Sequence, residues 1–203
     1  SWRGTWSAPP RAGGYHVLMG EVARPLELLD AEAYLALEER SPVRHELVEG
    51  VPYAMAGASL AHNRIVGNLY ALLRPEALAK GCRIYTETVK LRVSARTFYY
   101  PDLMVVCQGV PPHTHYEEAP CLVVEVVSEA TEAIDRREKL WRYREIPSLQ
   151  AYLLVDSRER RVEGYFRQGE GWLYRLWEGE GEVEVPCLEA CFPLAVIYEG
   201  VGI

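Results

Sequence analysis

The chain has 203 residues, 49% of them hydrophobic and 25% charged, with a formal net charge of −7. That is ordinary usage for one α/β domain with a real core, and it excludes a protein that coats nucleic acid through bulk positive charge. No apolar run approaches the length of a membrane span, and no basic region followed by a long apolar one opens the chain. We therefore expect a cytoplasmic protein without a membrane partner.

Charge is unevenly spread. Lys80, Arg83, Lys90, Arg92 and Arg96 surround one predicted strand, and Arg136, Arg137, Lys139, Arg142 and Arg144 populate one predicted helix, while Glu170, Glu178, Glu180, Glu182 and Glu184 crowd the C-terminal part. An acidic molecule can still hold a phosphate backbone in one basic cleft; the alternative is a solvated mixture of charges. Cys82, Cys107, Cys121, Cys187 and Cys191 form an odd set and read as free thiols. Neither disulfides nor structural zinc are expected, because Cys187 and Cys191 are the only close pair and no His flanks them. Arginine outnumbers lysine and amides are scarce, which hints at a thermophilic or GC-rich source.

In chain order, residues 1–24 read as an N-terminal arm and 25–203 as a single domain. Asp30 is a plausible N-cap for a helix over 31–39, ended by Pro42. His45–Val48 and Pro52–Met55 look like short strands hinged at Glu49-Gly50. Ser59 caps a helix over 60–73, whose stripe holds Ile65, Leu69, Leu72 and Leu73 and whose continuation Pro75 restricts. Extended runs follow at 83–86 and 88–93. Tyr99–Cys107 and Cys121–Val127 read as two apolar strands, each carrying one carboxylate. Thr131 opens a helix over 132–144, and Ala151–Val155 resumes as a strand closed by Asp156. The strand–helix–strand unit implies a right-handed crossover if its strands are parallel. A hairpin at 161–167 and 171–177, a strand at 183–185 and a tail at 192–198 complete a mixed sheet flanked by helices.

An ionised carboxylate in a buried strand is costly unless it is paired, coordinates a metal or sits at a strand end. Asp102 and Glu125 are such residues. Phosphodiester cleavage needs a nucleophilic water and neutralisation of charge on the phosphoryl oxygens. A Mg²⁺ ion held by Asp102, Glu125 and the carbonyl of Val126 could serve both needs, with Mn²⁺ as a substitute and Lys139 as a point charge. Alternatively, Asp102 ends a turn, Glu125 meets an Arg, and Asp135 with Lys139 forms an ordinary i,i+4 pair.

The run Arg44-His45-Glu46-Leu47-Val48-Glu49-Gly50, then His62, Pro101-Asp102, Pro120 through Ser128 with Glu125, Thr131, Asp135, Lys139 and Tyr143, and Tyr152 through Asp156 resembles the Uma2 family (DUF820). That family belongs to the PD-(D/E)XK restriction-endonuclease-like superfamily, and the resemblance spans roughly residues 25 to 198. It implies an α/β restriction-endonuclease-like core with a magnesium-dependent site. Asp102 then matches the motif aspartate, Glu125 the second acid, Glu46 the upstream glutamate and His62 the recurrent histidine. The superfamily's lysine two residues after the second acid is replaced by Val127, and the resemblance implies that Lys139 supplies the amine.

Glu46 and Glu49 compete for the accessory role, and the family match favours Glu46. His62 either contacts phosphate near the metal or caps the apolar stripe of its helix. His113 and His115 belong to a solvated loop, and Ser128 lacks the glycine pattern of a nucleophile elbow. The expected function is a Mg²⁺-dependent endonuclease acting on DNA. A catalytically weak nucleic-acid-binding module and a structural or regulatory homodimer are the alternatives. The aromatic hairpin strand with Trp172, Tyr174, Leu176 and Trp177 favours a homodimer.

Overall fold

The computed structural model describes residues 27–203 together with Tyr15–His16 and Arg24–Pro25. Those two pairs form strands β1 (Tyr15–His16) and β2 (Arg24–Pro25), antiparallel to each other. The rest of the arm expected over 1–24 lies outside the described residues. Helix α1 (Ala31–Arg40) follows, with the Asp30 carboxylate accepting from the Ala33 N–H at 2.8 Å. Strands β3 (His45–Val48) and β4 (Val51–Ala54) form a tight hairpin in which Glu49 and Gly50 both have positive φ, 48° and 87°. Both central residues must be left-handed in such a turn. Helix α2 (Leu60–Ala79) leads to β5 (Arg83–Thr86), β6 (Lys90–Ser94), β7 (Thr97–Tyr99), β8 (Leu103–Val106) and β9 (Tyr116–Glu117).

Next come β10 (Leu122–Val127), a π-helical segment Ile134–Lys139, α3 (Leu140–Tyr143) and β11 (Ala151–Asp156). The chain closes with β12 (Arg161–Gln168), β13 (Gly171–Glu178), β14 (Glu182–Val185), a 3-10 turn Pro186–Leu188, β15 (Ala190–Pro193) and α4 (Leu194–Ile197). The main sheet runs β13-β12-β11-β10-β8-β5 and is mixed, since β10 is parallel to β11 and antiparallel to β8. A second sheet runs β4-β3-β7-β6-β9, and β14 pairs with β15. No described helix is long and apolar enough to cross a membrane.

Alternation along the central strands separates two cores. Leu122, Val124 and Val126 of β10 face α2 and the C-terminal elements, packing with Ile65, Leu69, Leu73, Val185 and Leu194. Val123 and Val127 face the other way, against Tyr143, Ile146, Leu149, Tyr152 and Leu154. Burial on both faces explains why β10 and β11 are apolar on successive positions.

Four sequence expectations need correction. The extended run at 99–107 is two strands in two sheets, β7 and β8, broken at Tyr100-Pro101-Asp102. Pro101 has no N–H to give a ladder, so the chain changes sheets there. Helix α2 continues through Pro75 to Ala79. The hydrogen bond lost at Pro75 costs about 3 kcal/mol, offset by packing of Leu73 and Ala77 against the main sheet. The helix expected over 132–144 is π-helical over Ile134–Lys139. Finally, four of the five cysteines are not free: Cys82 bonds Cys107 and Cys121 bonds Cys187, leaving Cys191 as the free thiol. The bonded partners are 25 and 66 residues apart, brought together by the pairing of β5 with β8 and by the return of the 3-10 turn to the sheet end.

Candidate active site

Asp102 stands immediately before β8, and the β8–β10 register Val124↔Leu103 places it, one step further, opposite Glu125. Glu125 shares a strand face with Val123 and Val127, the face covered by the π segment and α3. Glu46 enters from β3. His62 lies in the first turn of α2, fixed by its N–H donating to the Ser59 N-cap at 3.1 Å. Asp135 and Lys139, one turn apart in the π segment, are both buried on its inner side. Single π turns inside helices recur at functional sites.

Lys139 is 6% exposed, and its Nζ lies 3.2 Å from Glu46 Oε1, 3.5 Å from Glu125 Oε1 and 3.6 Å from Asp135 Oδ1. The Tyr143 hydroxyl donates to Glu125 Oε1 at 2.8 Å. Among the described residues, the hydrogen bonds to Glu125 all fall on Oε1, leaving Oε2 without one. Asp102 Oδ2 accepts from the Val126 N–H at 2.6 Å, and Oδ1 meets His62 Nε2 at 3.0 Å. Glu46 Oε2 accepts from the Tyr100 N–H at 2.8 Å, so β3 is tied to the break between the two sheets.

Four carboxylates therefore surround one ammonium and one imidazole. Burial, reinforced by Asp102, Asp135 and Glu46, pushes the Glu125 carboxyl well above the usual range despite Lys139. Burial likewise raises Asp135 to about 6 against the pull of Lys139. For Lys139, burial acts downward, but Glu125, Glu46, Asp135 and Asp102 outweigh it and hold the amine above its ordinary value. His62 is also lifted: burial lowers it, and the hydrogen bond and charge of Asp102, with Glu87 and Asp135, prevail.

The residues fit a hard divalent cation. The excess of carboxylates supplies oxygen donors of the kind Mg²⁺ takes, with Asp102 and Glu125 on adjacent strands and the Val126 carbonyl in the same segment. His62 Nδ1 is buried without a hydrogen-bond partner. His62, Glu87 and Asp102 also offer ligand atoms within 4.8 Å of one another. Glu87 had no place among the sequence candidates: it sits in a short turn between β5 and β6 and looks like any surface acid. Glu49 stays on the hairpin turn, its side chain 76% exposed and paired with Arg142 at 3.1 Å. Ser128 exchanges hydrogen bonds with Thr131, closing the turn after β10. His113 is exposed in the loop before β9 and stacks on Tyr116.

A family described as "Uma2: Putative restriction endonuclease" matches residues 31–197. Two proteins of Synechocystis sp. are similar. "Uncharacterized protein slr1290" is 34% identical over 181 residues, covering 88% of this chain and 95% of that protein. "Uncharacterized protein sll1609" is 34% identical over 170 residues, covering 80% and 96%. A crystal structure described as a "putative nuclease belonging to DUF820" from Anabaena variabilis superposes with a TM-score of 0.71 at 15% identity, over 85% of this chain and 99% of that one. The mixed, helix-flanked sheet is thus the restriction-endonuclease-like α/β fold, and the chain belongs to the Uma2 family.

Proposed function

We propose that this protein is a Mg²⁺-dependent endonuclease that hydrolyses phosphodiester bonds in DNA. The observation that carries this reading is the buried Lys139 amine, 3.5 Å from Glu125 and 3.2 Å from Glu46, beside the neighbouring strands β8 and β10, whose register sets Asp102 opposite Glu125. An ordinary i,i+4 pair with Asp135 would leave that amine near the helix surface, not inside a set of four acids.

Asp102, Glu125 and the Val126 carbonyl would hold the ion, Mg²⁺ or Mn²⁺, with Glu46 beside them. When bound, it supplies Lewis acidity and a more acidic water. Lys139 places a fixed positive charge where the phosphoryl oxygens gain negative charge. Tyr143 holds Glu125 in orientation through its hydroxyl. His62 keeps Asp102 aligned through Nε2.

The test is cleavage of supercoiled plasmid, duplex, single-stranded and branched DNA, with RNA alongside, in the presence of Mg²⁺, Mn²⁺ or chelator. Metal-dependent cleavage that Glu125→Gln and Asp102→Asn abolish supports the reading. Binding without cleavage would favour the nucleic-acid-binding module, and neither binding nor cleavage would favour a structural homodimer.

A further inference from the structure

The two disulfides are not separate. Cys107 Sγ lies 3.5 Å from Cys121 Sγ although each is bonded to a different partner. Cys82 precedes β5, Cys107 follows β8, Cys121 precedes β10 and Cys187 occupies the 3-10 turn. All four therefore meet at one end of the main sheet, in an unbroken chain of sulfurs. The Sγ atoms of Cys107, Cys121 and Cys187 lie within 4.8 Å of one another, Cys82 adjoins this group through its bond to Cys107, and among the described residues no carboxylate or imidazole joins it.

We propose that in the reduced protein Cys82, Cys107, Cys121 and Cys187 form a zinc tetrathiolate site, of which the two disulfides are the oxidised, metal-free state. A tetrahedral ion with Zn–S bonds of about 2.3 Å sets its sulfurs about 3.8 Å apart, close to the spacing already present between Cys107 and Cys121. Four protein ligands close the coordination shell, which makes the site structural. Soft thiolates select Zn²⁺ over Mg²⁺, whereas the carboxylates at the other end of β8 and β10 do the reverse. The two sites sit at opposite ends of the same pair of strands, roughly 13 Å apart at about 3.3 Å per strand residue. The metal would staple α2, the sheet and the C-terminal elements, where Lys80 and Glu189 already pair across the same seam at 2.6 Å.

The exchange balances with a trialkylphosphine as reductant. Each disulfide consumes one phosphine and one water and yields one phosphine oxide and two thiols. Zn²⁺ then displaces up to four thiol protons, leaving four Zn–S bonds.

The full chain, reduced anaerobically with a trialkylphosphine, is titrated with Co²⁺ and then Zn²⁺, and followed by absorption and native mass spectrometry. One bound ion is expected, with thiolate-to-cobalt charge transfer and a tetrahedral ligand-field spectrum that Zn²⁺ erases. Cys121→Ser and Cys187→Ser should each weaken uptake at least about tenfold, while Cys191→Ser and Asp102→Asn keep the thiolate spectrum. If the serine variants do not fold, alkylation of the reduced wild-type chain decides. Zn²⁺ should then protect the four cysteines and leave Cys191 reactive. Absence of the thiolate band, undiminished Co²⁺ affinity in Cys121→Ser, or alkylation of all five cysteines in the presence of Zn²⁺ overturns the proposal.

Discussion

Lys139 reaches Glu125 from the segment that follows its strand, Nζ to Oε1 at 3.5 Å, over the position held by Val127. Val127 lies on the same face of β10 as Glu125 and is 1% exposed among Tyr143, Leu154 and their neighbours. The strand therefore keeps an apolar residue in the core, and the amine arrives from the covering π segment.

Replacing Lys139 with Met should lower cleavage by roughly 10²–10⁴, the range for removing a charge-stabilising group. It also leaves Glu46, Glu125 and Asp135 crowded without their cation. The variant should unfold more easily at neutral pH and recover stability in mild acid, where Glu125 and Asp135, both held above the ordinary carboxyl range, take up protons. Thermal unfolding across pH, with and without Mg²⁺, measures this. Equal cleavage by variant and parent would return Lys139 to a structural role.

Asp135 has a folded pKa near 6 against an ordinary 3.8. The folded state therefore keeps a proton that the unfolded chain releases. Its contribution to stability is fully present below the unfolded value and is lost as pH rises through the folded one. Asp135→Asn removes that dependence. Relative to the parent, the variant should gain stability as pH rises across this window, by roughly 1–3 kcal/mol, and then level off. Denaturant unfolding at several pH values reads the difference, and a parallel pair of curves would count against it.

Arg136 and Arg142 are committed to acids within the protein, Arg136 to Glu132 and Glu163 and Arg142 to Glu49. Arg137 and Arg144 are exposed, and Arg144 stacks on Trp141, itself 63% exposed, at 4.5 Å. If DNA lies along this face, Arg137→Ala and Arg144→Ala should each weaken binding and reduce the slope of log affinity against log salt by about 1. Trp141→Ala should weaken single-stranded more than duplex binding, through lost base stacking. Unchanged salt slopes would move the DNA elsewhere.

Strand β13 ends the main sheet, and Leu173, Tyr174 and Leu176 on it are 38%, 46% and 42% exposed. An edge strand with such side chains is a ready template for pairing with a second copy. Light scattering should give twice the mass of one chain at micromolar concentration, and Leu176→Glu should shift it toward monomer. A single-chain mass for the parent at all concentrations would remove the homodimer.

The amino-acid sequence by itself determined the elements whose signals are local. Successive apolar positions marked β10 and β11 as doubly covered strands, Asp30 and Ser59 marked the starts of α1 and α2, and Glu49-Gly50 marked the turn between β3 and β4. Isolated acids in two apolar runs, followed by a helix with one lysine, also singled out Asp102, Glu125 and Lys139, and the resemblance to the Uma2 family pointed to Glu46 and His62. What only the tertiary structure decided were relations between distant segments. The break at Pro101 divides one apolar run between two sheets, because sheet membership depends on which partner offers a ladder. The π segment that turns Asp135 and Lys139 inward depends on packing over β10, which propensity does not encode. Glu87 approaches His62 and Asp102 only once β5 lies beside β8. The cysteine partners, 25 and 66 residues apart, left no local trace, because a disulfide requires only that two side chains meet in space.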